Sequence, residues 1–147
     1  MTDLADVQRA VNALCRRDFQ AFVERVFHTL DPASKLERAP YIEVLCDYLA
    51  QVARGEIKRL LVTIPPRHLK TVAASIALPA WVLGQDPSKR ILSITYGDKL
   101  ARDYAAHFRM VMRSRWYAHV FPETATSIVR DTAAQLKTRQ NGFRLAT

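Results

Sequence analysis

The residues with the clearest chemical potential are Ile64-Pro65-Pro66-Arg67-His68-Leu69-Lys70-Thr71, a loop between an apolar run and an alanine-rich stretch. A loop between a buried strand and a helix is where nucleotide-binding α/β proteins hold phosphates. The helix start offers unpaired N–H groups and the positive end of the helix dipole, and both attract anions. Lys70 stands where an ammonium would reach β- and γ-phosphates, and the Thr71 hydroxyl is a ligand type suited to Mg²⁺. Arg67 adds a planar guanidinium that matches phosphate oxygens. Pro66, His68 and Leu69 complete the candidate binding loop.

Against the glycine-rich pattern G-x-x-x-x-G-K-[ST], this loop departs at both glycines. Ile64 occupies the first glycine position and Leu69 the second. Pro65 and Pro66 remove two backbone donors. If the loop requires a positive φ at position 69, leucine costs roughly 1–2 kcal/mol there. The alternative is a proline-bent loop that exposes a cationic helix start.

The elements that must position this loop are legible from periodicity. Residues 3–28 carry Leu4, Val7, Val11 and Leu14, then Phe19, Phe22, Val23 and Val26, at helical spacing, with Arg16-Arg17-Asp18 as a kink or a second start. Asp31-Pro32-Ala33-Ser34 reads as a turn. A helix follows from Pro40 through Ile42, Leu45, Leu49 and Val52, and Gly55 is its stop. Leu60–Ile64 is a short apolar run expected of a strand buried on both faces, ended by Pro65-Pro66. A helix from Thr71 to Leu83, closed by Gly84 and Pro87, leads to a second buried strand over Ile91–Tyr96. Together these predict a right-handed βαβ unit. A further helix, Asp98 to Ser114, buries Leu100, Tyr104, Phe108 and Val111. Gln135–Thr138 and Phe143–Thr147 are expected to pair as a hairpin across Arg139-Gln140-Asn141-Gly142.

The expected fold is a P-loop-type three-layer α/β sandwich with an incomplete parallel sheet. Its organisation is a helical N-terminal segment over 1–56 and a partial nucleotide-binding domain over 57–147. The end of the chain reads as strand rather than tail, so the sequence is expected to stop in mid-domain.

The 147 residues carry 22 Lys and Arg against 14 acids, a net charge of +8. That surplus suits a polyanionic partner such as DNA, RNA or nucleotide phosphates. There is no membrane-length apolar run, and the opening Met1–Asp6 is acidic rather than basic-then-apolar, which predicts a cytosolic protein. Cys15 and Cys46 lack metal-ligand or CxxC spacing and read as reduced, buried thiols. Arg102, Arg109, Arg113 and the nearby Arg115 form a solvated helix face or a contact for DNA or a subunit. Trp81, Trp116 and Tyr117 lie among apolar residues and read as packing residues.

ATP hydrolysis needs an acid at a strand end to hold Mg²⁺ and another to orient water. No run of four apolar residues followed by Asp-Asp or Asp-Glu occurs. Asp98 follows a predicted strand but reads as a helix N-cap. The acidic cluster of a two-metal nuclease is absent as well.

The stretch Leu61-Val62-Thr63-Ile64-Pro65-Pro66-Arg67-His68-Leu69-Lys70-Thr71 resembles the variant Walker A loop of phage large terminases, in which PPR-x-x-K-[ST] replaces the glycine-rich form. The likeness continues through Leu78-Pro79-Ala80-Trp81-Val82-Leu83-Gly84, Asp86-Pro87-Ser88, Ile94-Thr95-Tyr96 and Leu100-Ala101. It extends to Phe108-Arg109-Met110-Val111-Met112, Trp116-Tyr117 and Phe121-Pro122. Asn141–Thr147 is similar to the segment leading into that family's TGxG stretch, and the upstream Phe19, Phe22 and Gly55–Leu60 are similar too. The likeness spans nearly the whole chain.

The resemblance implies an ATPase that pumps double-stranded DNA into a prohead, joined to a C-terminal nuclease. Its cofactors would be ATP and Mg²⁺. Its partners would be DNA, a small terminase subunit, a portal protein and further copies in a ring, with no membrane, in the cytoplasm of a bacterial host. Lys70 and Thr71 would take the Walker A roles, and Arg67 would sense the γ-phosphate. The family often carries a histidine near the position of Tyr41, and none stands here. Three readings follow: the ATP-binding part of a packaging motor, a truncated prophage remnant without catalysis, or a basic module that grips a nucleic-acid backbone.

Overall fold

The computed structural model describes residues 3–66 and 69–147. Helix α1 (Leu4–Arg17) starts where the Asp3 carboxylate accepts from the Ala5 N–H, and α2 (Phe19–Leu30) starts where Asp18 accepts from the Ala21 N–H at 2.8 Å. Each aspartate satisfies a donor that the helix itself leaves unpaired. The Arg16-Arg17-Asp18 break is therefore a second helix start. Helix α3 (Pro40–Arg54) opens on proline and closes on Gly55 at φ 78°, the left-handed cap expected of glycine.

The stretch from Leu60 to Ile64 corrects the sequence expectation. It forms no strand, and its apolar side chains are partly or fully exposed, Leu61 most of all. After the loop the chain enters a π-helical segment (Thr71–Ala77) that runs directly into α4 (Leu78–Gln85). Leu78 donates to Ala73, five residues back. Pro79 follows, and its ring cannot coexist with a tight i−4 carbonyl, so the wider turn accommodates it.

Strand β1 (Arg90–Ser93) is shorter than expected and has an alternating exposed and half-buried pattern. The predicted continuation through Ile94 and Tyr96 is largely exposed. Helices α5 (Asp98–Met112), α6 (Arg115–Val120) and α7 (Pro122–Ser127) lead to β2 (Ile128–Asp131), β3 (Gln135–Thr138) and β4 (Phe143–Ala146). The sheet order is β1-β4-β3-β2, with β1 parallel to β4 and the other pairs antiparallel. The β3–β4 hairpin forms across the Asn-Gly turn, with Asn141 at φ 62°. The fold is mixed α/β, but the parallel partner of β1 is β4 and not Leu60–Ile64. Main-chain bonds define this pairing. Lys89, Ser93 and Thr95 all bond toward β4 and Thr147 at 2.9–3.0 Å. The intervening residues Arg90, Leu92 and Ile94 face the opposite edge, as parallel pairing requires.

One core joins the helices. Phe22, Val23 and Val26 of α2 meet Leu45 and Leu49 of α3, Ile76 and Leu83, Phe108 and Val111 of α5, and Tyr117. The buried aromatics are anchored by hydrogen bonds. Trp81 Nε1 donates to the Cys15 carbonyl at 3.0 Å, Trp116 Nε1 to Thr29 Oγ1 at 2.9 Å, and Tyr117 OH to the Ala80 carbonyl at 2.8 Å. All three rings pack, which is how large aromatics with one polar atom are best accommodated. By contrast, the apolar stripe of α1 stays outside this core, and only Asn12 and Cys15 of that helix are buried.

Candidate phosphate-binding loop

The loop ends are held together by the residue with the most chemistry. Lys70 Nζ donates to the Ile64 carbonyl at 3.4 Å, across the turn. Leu69 has φ 61°, in the left-handed region, and its carbonyl accepts from the Ala73 N–H at 2.9 Å to begin the helix. A bulky residue is strained there, and such strain persists only where surrounding structure imposes it. Leu69 packs against the core, which supplies that constraint. Pro66 lies at the turn; Arg67 and His68 lie outside the described residues.

Lys70 and Thr71 line a groove of 560 Å³ bounded by Leu60 and Val62 on one side and by Ile94, Thr95 and Tyr96 on the other. This groove continues into a 610 Å³ cavity along β1, with Val52, Ala74, Ser75 and Leu78 shared by both. Arg54, Lys89 and Arg90 line the far end. Arg54 is paired with Glu56 at 2.6 Å and Lys89 with Asp86 at 3.6 Å. The trough thus has cations at both ends and an apolar floor. Sequence reading missed its far end, because residues 54, 89 and 90 are brought together only by the tertiary fold and carry no shared motif.

The arrangement suits an anion near Lys70 at a helix start. It suits Mg²⁺ less completely. Mg²⁺ is ordinarily held by one or two carboxylates together with substrate phosphates. Thr71 offers a hydroxyl, no carboxylate lines the groove, and no cluster of three metal-ligand side chains occurs among the described residues. A cation here would depend on the oxygens of a bound nucleotide.

The other candidates separate from this site. Asp98 is the first residue of α5, with Gly97 at the cap position, so its carboxylate sits in the first turn rather than acting as the N-cap. Arg102 Nε donates to the Asp98 main-chain carbonyl at 3.3 Å, not to its carboxylate. Arg109 and Arg113 both face Asp131, at 3.9 and 2.6 Å, which ties α5 to β2. No helix among the described residues is long and apolar enough to cross a membrane. No family model matches the chain, and neither curated proteins nor solved structures give a match.

Proposed function

We propose that this chain is the ATP-binding part of a phage-type terminase large subunit, with a P-loop-like site at Pro66–Thr71. The observation that carries the reading is the left-handed backbone of Leu69, immediately before Lys70. The glycine-rich pattern places glycine there because that residue tolerates a positive φ. Here the same conformation is imposed on leucine. Lys70 would contact the β- and γ-phosphates, Thr71 would ligate Mg²⁺, and Arg67 would contact the γ-phosphate. The groove beside Lys70 gives a triphosphate tail room to lie. In the intact motor this part would serve double-stranded DNA translocation alongside a small subunit, a portal and neighbouring copies.

Titration of fluorescent ATP with Mg²⁺ into the folded protein tests the reading. Wild type binds and Lys70→Ala binds roughly 10- to 100-fold more weakly; equal binding by both removes the assignment. A second reading, a basic module gripping a nucleic-acid backbone, draws on the cations at both ends of the trough. Strongly salt-dependent DNA binding without nucleotide binding would favour it. Steady-state phosphate release by this chain is expected to be negligible, since no acid follows a four-residue apolar run and Asp131, which ends β2, is paired with Arg109 and Arg113.

A further inference from the structure

Helix α1 is anchored at one end only. Its C-terminal turn is held by Trp81 bonding the Cys15 carbonyl, by Gln85 bonding the Arg16 carbonyl, and by Arg16 bonding the carbonyls of His119 and Val120. From Asp3 to Val11 every residue is exposed. Support along this stretch is local, from the Asp6–Arg9 pair and from Gln8 to Asn12 at 3.1 Å. Helices of this length are marginal in water without tertiary packing. Yet the exposed face is not polar. Leu4, Val7, Val11 and Leu14 are all solvent-exposed, Leu4 at 86%. Their 3-4-3 spacing is that of a coiled-coil seam, about 15 Å long at 1.5 Å per residue.

We propose that α1 pairs with α1 of a second copy of this chain, antiparallel, across a twofold axis. The charges along the seam favour that occupant. One flank of the stripe turns toward the body through Asn12 and Cys15, which are buried. The free flank carries Asp3, Ala10 and Arg17 at seven-residue spacing. Antiparallel pairing sets Leu4 against Leu14 and Val7 against Val11 of the other copy. It also brings Asp3 near the other copy's Arg17, twice by symmetry, and opposes the two helix dipoles. Parallel pairing would instead turn the Asp3 flank toward the other copy's Gln8 and Cys15 flank, which faces that copy's own body, where Cys15 is buried. The seam is short, so the interface belongs with the smaller, transient ones below about 1,200 Å². Dimerisation is accordingly weak and concentration-dependent.

Sedimentation velocity across a concentration series tests this on the whole chain. Wild type is expected to move from monomer to dimer, and Val11→Glu to remain monomeric at every concentration, with unchanged circular dichroism. Arg17→Glu should weaken the dimer several-fold, and more so at low salt. Orientation is read by cross-linking. Leu4→Cys and Leu14→Cys proteins should each resist oxidative dimerisation alone and form a mixed disulfide together, because only antiparallel pairing brings those positions within bonding range. A wild type that stays monomeric throughout overturns the proposal. So does a dimer that survives Val11→Glu, which would lie on another surface such as the free edge of β1. Cross-linking of either cysteine variant with itself in preference to the mixture overturns the antiparallel arrangement.

Discussion

Lys70 Nζ lies 3.4 Å from the carbonyl oxygen of Ile64, so a single side chain spans the loop from its extended approach to its helix start. A phosphate arriving at the helix start would compete with that carbonyl for the ammonium. Charge-assisted hydrogen bonds contribute about 1.5–3 kcal/mol each. Lys70→Ala is therefore expected to weaken nucleotide binding roughly 10- to 100-fold. The contact it removes from the apo protein is long and partly solvated, so the unfolding free energy should change by less than about 1 kcal/mol. Isothermal titration and urea denaturation on the same variant check both halves.

The backbone at Leu69 can be tested apart from its side chain. Leu69→Gly and Leu69→Ala both remove the packing, but only glycine relieves the left-handed strain. Glycine should be the more stable of the two by about 1 kcal/mol, a difference smaller than the full strain because glycine also gains freedom when unfolded. Chemical denaturation of the pair measures it. An alanine variant as stable as the glycine variant would mean that residue 69 does not hold a positive φ in solution.

The hairpin turn docks against the segment before β1. A Cβ on Gly142 would lie 2.1 Å from the Pro87 carbonyl oxygen, and the Thr138 hydroxyl donates to that same oxygen. Gly142→Ala must displace main chain on one side or the other. The expected cost is about 1–3 kcal/mol, seen as a fall in the thermal midpoint of several degrees. An unchanged midpoint would show that the hairpin turn does not seat on Pro87.

Arg144 is buried in β4 with its guanidinium 4.7 Å from the centre of the Phe108 ring, and its Nε has no hydrogen-bond partner. Burial pulls the group down to about 10, because desolvation disfavours the charged form. A depressed value means that the native state holds the proton less firmly than the unfolded chain does. The charge therefore opposes folding throughout neutral pH, and that opposition is relieved only as pH rises through about 10. Arg144→Met keeps much of the volume and removes the charge, so it should be neutral or stabilising in urea denaturation. A loss beyond about 1 kcal/mol would show that the arginine has a stabilising partner in solution.

The cysteines give a pH signature of opposite sign. Burial, reinforced by the nearby negative charges of Asp18 and Glu24, pushes the Cys46 thiol up to about 12. Burial also raises Cys15, against the opposing pull of Arg25. A raised value means that the native state retains the proton, so this stabilisation is complete below the ordinary thiol value. It is lost as pH rises from there toward about 12. Both thiols should resist alkylation at pH 8 in the folded protein and react fully in denaturant, which mass spectrometry reads directly. Fast native labelling of Cys46 would contradict its burial beside α2.

Where local chemistry dictates structure, the sequence was readable. Asn141-Gly142 specified the hairpin and Pro40 and Gly55 bounded α3, because caps and turns are decided within a few residues. Arg16-Arg17-Asp18 leaves a kink and a second start both open in the sequence, and the Asp18 cap decides for the start. The failures concern partners. Leu60–Ile64 has the composition of a buried strand, but composition does not say which backbone will bond to it, and here the groove beside Lys70 lies between this stretch and Ile94–Tyr96. Likewise, Leu4, Val7, Val11 and Leu14 repeat correctly for an amphipathic helix without indicating whether the apolar face meets this chain or another. In the candidate site, Lys70 and Thr71 could be singled out as contiguous residues. Arg54 shares the trough with Lys89 and Arg90 only after α3 and the start of β1 have packed.

The parallel pairing of β1 with β4 carries a consequence for the order of events in folding. The β3–β4 hairpin can close locally, on a scale of about 1–10 μs. Strand β1 cannot join it until α5, α6, α7 and β2 have been drawn into the intervening crossover, since Arg90 is aligned with Phe143 at the far end of that excursion. Loop-closure entropy must be met before any of these hydrogen bonds is gained. The wall of the trough supplied by β1 thus depends on the longest loop closure in the sheet, whereas the helical core beneath Lys70 draws only Ile91 from that strand.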